Sequence, residues 1–345
     1  MIARTPALLA ACAVLAAACS GTGSPASAES GAPSPAGSSP PASIAPTTTA
    51  SSALAAMRQL CDTPSVTTEP APVQHGPTPP VIAQVEKAVQ EVRGLRFEHP
   101  VPVEALTNSQ LDAKLQASFA QSFSPDQLLR RGLAWSTIGV IPKGTDLQKA
   151  YESFYQGQVV GFYVPESGEL VFQGSSDPTL VEQIALAHEL THALDDQHFG
   201  LVRVDKFGAS CQDERQLAAL GAVEGSAQFF SIKAGVQLAT SGQAGGLGGL
   251  LNGGGLTPPS VPGVPPFLTQ LQYWPYTTGL AFITERALTG GTGAVNTAIE
   301  DLPASTEQVM HPEKYPSDVP IPVDVPELGP ALGPGWRDID VMQVG

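Results

Sequence analysis

Positive charge is scarce in this chain: 17 Lys and Arg stand against 32 Asp and Glu in 345 residues, a formal net charge of −15. Nucleic acid and anionic membrane surfaces would be repelled, so neither is expected as a partner held by charge. Long apolar runs are missing after residue 18. The best later stretch, Phe229 to Leu251, is interrupted by Lys233 and a series of glycines and falls short of the roughly 18 apolar residues that a span needs. Cysteine occurs four times and never as Cys-x-x-Cys, and histidine six times, three of them crowded between His188 and His198.

The N-terminus carries one positive charge at Arg4, then an Ala-rich apolar run from Ala7 to Ala18, then Cys19 followed by Ser20-Gly21-Thr22-Gly23-Ser24. That order reads as a secretory signal. Small residues before Cys19 and a polar sequence after it resemble a bacterial lipoprotein signal, which implies lipidation at Cys19 and a protein tethered outside the cytoplasm at the cell envelope. An ordinary cleaved signal and a secreted protein is the alternative. Cys12 is also a local match but leaves almost no apolar segment before it. Removing Cys12 and acylating Cys19 leaves Cys61 and Cys211, either one disulfide in an oxidising compartment or two buried free thiols.

Residues 20–79 are mostly Ser, Pro, Ala, Gly and Thr, with almost no apolar periodicity to bury, and read as a disordered stalk. One folded domain is expected over 80–345, interrupted by a Gly/Pro-rich insertion at 242–266. The pattern is mainly helical with a little strand, an α+β class. Val81, Val85, Ala88, Val89 and Val92 repeat at helical spacing up to Gly94, Val101 to Leu106 reads as a short strand, and helices follow from Asn108, Pro125 and Asp146. Val159 to Phe172, broken at Pro165-Glu166-Ser167-Gly168, reads as a β-hairpin that either covers the core or offers an edge for an extended chain. A helix capped at Asp177 with Pro178 in its first turn is expected to run to Gln197, and another spans Asp213 to Ala239. Helical texture resumes at Phe267 and stops at Gly290-Gly291; a last helix is capped at Ser305 through Ser305-Thr306-Glu307-Gln308, and a Pro-rich extended strap ends the chain.

The most informative segment is Ala187-His188-Glu189-Leu190-Thr191-His192-Ala193-Leu194. At 3.6 residues per turn, His188 and His192 stack on one helix face about 6 Å apart, so their imidazoles can converge on one metal ion. Glu189 lies roughly 100° around, poorly placed as a ligand but within reach of a water at the metal, the position of a general base. The flanks, from Val181 to Leu194, are too apolar for these three to be surface decoration, and buried imidazoles and carboxylates need partners. Zinc is the expected ion.

Two residues compete for the third ligand. Glu224 stands alone among Ala218, Leu220, Ala222, Val223 and Ala227, and no other acid occurs between Gln216 and Ser231. A catalytic zinc site takes three protein ligands and leaves the fourth position to water. His198 has the spacing of a longer pattern in which a glycine turns the chain back to the metal, but Asp195 stands at that glycine, where a left-handed conformation is costlier. In the Glu224 reading, His198 ends the helix, and Asp195 or Asp196 orients a ligand histidine.

The His188 to Leu194 segment, with Asp196-Gln197-His198-Phe199 and Val223-Glu224-Gly225-Ser226-Ala227, resembles the gluzincin zinc metallopeptidases. With Gly161-Phe162-Tyr163 upstream and Ser305 to Tyr315 downstream, it also looks like a little-characterised group of bacterial secreted or lipid-anchored proteins. The resemblance covers about Gln158 to Tyr315. It implies a zincin-like core with a small β-sheet before the metal-binding helix, His188, His192 and Glu224 as zinc ligands, Glu189 as base, and a peptide or protein substrate. Because gluzincins place an oxyanion donor downstream of the glutamate ligand, His311 is the first candidate for that role, with Tyr276 or Tyr273 next. A zinc-stabilised, catalytically silent lipoprotein that binds a partner or cell-wall material is the alternative function.

Overall fold

The computed structural model describes residues 78, 80–155, 159, 161–173, 178–208, 210–240, 260–321, 323 and 328–343. Cys12, Cys19, Cys61, the expected stalk except Thr78, Asp177 and residues 242–259 of the insertion lie outside these. In chain order the elements are α1 (Pro80–Arg93), β1 (Val103–Leu106), α2 (Asn108–Ser122), α3 (Pro125–Thr137), α4 (Leu147–Tyr155), β2 (Gly161–Val164), β3 (Glu169–Gln173), α5 (Leu180–Phe199), α6 (Asp205–Gly208), α7 (Asp213–Thr240), α8 (Pro266–Glu300), α9 (Thr306–Met310) and α10 (Gly329–Leu332). The chain is mainly helical with one three-stranded sheet, an α+β arrangement.

Helix α5 is buried through its whole middle, from Ala185 to Asp195. Such a helix has no solvent face, so its polar residues must find partners inside the protein. It is surrounded by α7, α1 and the sheet. Against the sheet and α1, Leu186, Leu190 and Leu194 pack with Ile82, Val85, Val89, Leu170 and Phe172, and each such side chain contributes about 1.5–3 kcal/mol by leaving water. Two further apolar clusters flank this one, around α2 to α4 and around the α7–α8 contact. None of the described helices is long and apolar enough to cross a membrane.

The hairpin forms where its strand residues and turn place it, with β2 antiparallel to β3. What the pattern does not show is that β1 joins it in parallel, pairing Val103 with Leu170 through Leu106 with Gln173, so that β3 is central and β2 lies at an edge. Parallel pairing requires a long crossover, supplied here by α2, α3 and α4. Helix α5 starts later than expected: its cap is Thr179, whose side chain accepts from Glu182 N–H while the Glu182 carboxylate accepts from Thr179 N–H. Pro178 therefore precedes the helix instead of standing in its first turn. At the other end Gly200, at φ 70°, closes it in the left-handed region that glycine enters without strain.

The first helical stretch of α8 stops at Gly290-Gly291, as the glycine pair predicts. Gly291 breaks the helix at φ 65°, ψ −158°, and the chain then resumes a helix to Glu300 that buries Val295, Ala298 and Ile299. Ser305 caps α9 by accepting from Gln308 N–H, but the Gln308 side chain reaches back to Ala304 N–H rather than to the cap residue. The C-terminal strap crosses α3, where Arg131 pairs with Asp340 and the Trp135 indole N–H approaches the Met342 sulfur at 3.1 Å.

Helices α7 and α8 cross at glycines. A Cβ on Gly279 would overlap the Gly221 carbonyl, and one on Gly225 would overlap the Gly279 carbonyl. Gly225 therefore admits α8 rather than α5, which α7 meets instead at Gly235 against Ile184. Because the obstructing atoms are backbone, Gly279→Ala must push the helices apart; a loss of about 1–3 kcal/mol is expected, read as a lowered thermal midpoint.

Candidate metal centre

Helices α5 and α7 run antiparallel, Ile184 near Gly235 and Asp195 near Ser226, so the middle of one faces the middle of the other. There, one helical turn places His188 beside His192, their Nε2 atoms 3.1 Å apart. Glu224 reaches across from α7, with its Oε2 3.1 Å from His188 Nε2 and 3.3 Å from His192 Nε2. All three side chains are at least nine-tenths buried, with relative exposures of 2%, 2% and 4%. Among the described residues they form a group whose ligand atoms lie within 4.8 Å of one another and that could hold a metal ion.

The electrostatics suit that task. Burial holds the His188 imidazole below its usual range, which keeps a lone pair on the ring at neutral pH. Burial pushes the Glu224 carboxyl the other way, but the His192 and His188 imidazoles outweigh it and hold the acid at about 2. A buried anion beside imidazole nitrogens is a donor set for a cation. The Gln228 side chain, one turn beyond Glu224 on α7, lies near His188 and favours its protonated form slightly, against the effect of burial. Its position four residues after the acid places it on the same helix face, a signal the sequence carried and the reading above did not use.

Glu189 is buried next to this group. Its Oε2 accepts from the backbone N–H of Tyr163 on β2 at 2.9 Å, so the edge strand of the sheet holds the carboxylate. No side-chain pattern could have announced a main-chain donor. The Tyr163 hydroxyl donates to Asp196 Oδ2 at 2.9 Å, and Leu201 N–H donates to Asp196 Oδ1 at 2.6 Å. Burial, then the Asp196 charge, raises the Tyr163 phenol, which stays a donor.

The remaining candidates divide. Asp195 and Asp196 hydrogen-bond no ligand imidazole among the described residues: Asp195 takes Arg93 on one oxygen and Ser226 on the other, both at 2.7 Å, and Asp196 takes Tyr163 and Leu201. The Tyr276 ring stacks beside His188, centroids 5.9 Å apart at 25°. Tyr273 packs edge-on against Phe154 at 5.8 Å in an apolar cluster, and burial pushes its phenol up to about 12. His311 is exposed at the end of α9, with Glu313 as its neighbour at 3.6 Å. His198 accompanies α5 past the site, since the helix continues through Asp195 instead of turning, and its Nε2 lies 2.8 Å from the Arg96 carbonyl. Cys211 is disulfide-bonded, and Cys61, its expected partner, lies outside the described residues.

Asp205 of α6 is a buried carboxylate with no hydrogen-bond partner on either oxygen from another described residue. Burial, then the charges of Glu166 and Asp196, raises its pKa well above the ordinary value. A raised folded-state value means that the native chain binds the extra proton, so stability falls as pH rises from about 4. Asp205→Asn should therefore raise the thermal midpoint at pH 7 by at least about 2 °C and leave it unchanged near pH 3, where both states are protonated, in paired melting curves.

No family model matches the chain, and no curated protein matches it. Among solved structures it is similar to a Chloroflexus aurantiacus protein described as "a putative hydrolase with a novel fold", at 15% identity and a TM-score of 0.40 over 77% of this chain and 95% of that one.

Proposed function

We propose that this protein is a zinc-dependent peptidase whose ion is held by His188, His192 and Glu224, with Glu189 as general base. The observation that carries the reading is the spacing of the three donor atoms, 3.1–3.3 Å. Ligands at about 2.0–2.1 Å from a tetrahedral ion lie about 3.3 Å apart along each edge, so the three atoms match three corners of a zinc tetrahedron with little movement. A calcium ion, with oxygen ligands at about 2.3–2.6 Å and a preference for six or more of them, fits neither the spacing nor the two nitrogens.

When bound, zinc would supply Lewis acidity, polarising a substrate carbonyl and easing the deprotonation of a water. The chain's own residues do the rest. Glu189, adjacent to His188 on α5 and fixed by the Tyr163 N–H, accepts the proton of the attacking water and returns it to the leaving amine. Gln228, near the His188 ring, is the proposed side chain that orients it. Tyr276, beside that ring, is the proposed donor to the oxyanion, in preference to the exposed His311. The proposed setting is the outer face of a cell envelope, with the domain tethered by a stalk lipidated at Cys19.

Metal analysis joined to cleavage of a peptide library, with and without chelator, tests the reading. Glu189→Gln should retain stoichiometric zinc and lose at least about a hundredfold in turnover. Glu224→Ala should lose the metal, because a site left with two imidazoles has one ligand too few. Tyr276→Phe should lower kcat by about 10²-fold at unchanged zinc content. Cleavage by Glu189→Gln at the parent's rate would falsify the peptidase mechanism, and full zinc content without cleavage would favour the silent, partner-binding alternative.

A further inference from the structure

Arg93, at the end of α1, is completely buried and makes the one ion pair among the described Lys and Arg residues in which both side chains are nearly inaccessible, with Asp195 of α5. Its Nε donates to Asp195 Oδ1 at 2.7 Å, its Nη1 donates to Asn296 Oδ1 on α8, and its guanidinium lies over the Phe230 ring of α7, 4.8 Å from the centroid. The second oxygen of Asp195 accepts from Ser226 Oγ of α7 at 2.7 Å. One buried guanidinium thus touches three further helices, and its carboxylate joins the two that carry the proposed metal ligands.

The positions in sequence matter as much as the contacts. Asp195 lies three residues after His192, and Ser226 two residues after Glu224. The Asp195–Ser226 hydrogen bond therefore joins α5 to α7 within one turn of the place where Glu224 must reach the imidazoles. Apart from this bond and the imidazole–carboxylate contacts themselves, α5 meets α7 through small and apolar groups such as Ile184 against Gly235. Such contacts favour closeness but define axial register loosely, since dispersion is not directional. A metal site needs its donor atoms placed to within about 0.2 Å.

We propose that Arg93, Asp195 and Ser226 are positioning residues for the metal centre: the buried ion pair anchors Asp195, and Asp195 sets the register of α7 so that Glu224 meets His188 and His192. This rests on the metal reading of those three side chains and adds that its affinity is set in part by groups that touch neither the ion nor the imidazoles. The same inference explains why a charged pair is kept in a core where apolar residues of similar shape would be no less stable, because here it supplies a fixed geometry.

Zinc affinity by chelator competition, the visible absorption of the cobalt-substituted protein, and the thermal midpoint of the metal-free protein separate positioning from mere stability. Ser226→Ala, which removes one hydroxyl and is the variant best placed to fold, should weaken zinc binding at least about tenfold and alter the cobalt bands, and Ser226→Thr should restore both. Asp195→Asn should act in the same direction. Ile141→Val, in the separate core cluster around α2 to α4, serves as the control: it should lower the thermal midpoint and leave the affinity unchanged. Zinc affinity within about twofold of the parent in folded Ser226→Ala overturns the proposal even if its midpoint falls, because a structural bond alone would behave that way. A parent protein that takes up no zinc or cobalt overturns the metal reading itself, and this inference with it; the two failures are distinguished by whether the parent binds.

Discussion

A carboxylate held out of water against two imidazoles is the contact on which the rest of the structure depends. Left alone in an apolar helix, Glu224 would cost several kcal/mol to bury in its charged form. His188 and His192 offset that cost only because α5 is itself buried and presents both rings at the same depth. The surroundings follow from this need. The sheet and α1 cover one side of α5, α7 covers another, and α8 lies against α7, so water has little access to the three side chains.

Close approach between helices has a second cause, the glycines at the α7–α8 crossing. Gly221, Gly225 and Gly279 let the two backbones touch, which carries Tyr276, three residues before Gly279, to the ring of His188. Glu189 is held from another direction, by a backbone N–H of the edge strand. The candidate centre is thus assembled from four elements that meet through three kinds of contact: imidazole and carboxylate between α5 and α7, backbone contact between α7 and α8, and a main-chain hydrogen bond from β2.

Much of this was legible beforehand, and the legible parts share a feature. The span of α1, the hairpin, the His188–His192 pair and the isolated Glu224 are all read from residue type at short spacing, where helical and strand periods dictate which side chains share a face. The errors were of two kinds. At Thr179 the capping box with Glu182 is present in the sequence and sets the start of α5, and past Gly291, where the glycine pair does stop the helix, a second helical stretch to Glu300 was not expected. The second kind lay beyond any local pattern. Asp195 belongs to Arg93, 102 positions away, and not to a histidine on its own helix. His311, attractive for its place in the chain, is exposed at the end of α9.

By itself the sequence determined which residues are candidates for a metal site and which helices present them, because an imidazole pair one turn apart and a solitary acid in an apolar run follow from covalent order and helix period alone. Only the tertiary structure decided which of those groups meet. It joined β1 to β3 in parallel, let the edge strand hold Glu189, selected Tyr276 over His311 as the ring beside His188, and gave Asp195 to Arg93 and Ser226. Those choices depend on how closely whole elements approach, a property set by the summed packing of residues distant in the chain rather than by any short stretch of it.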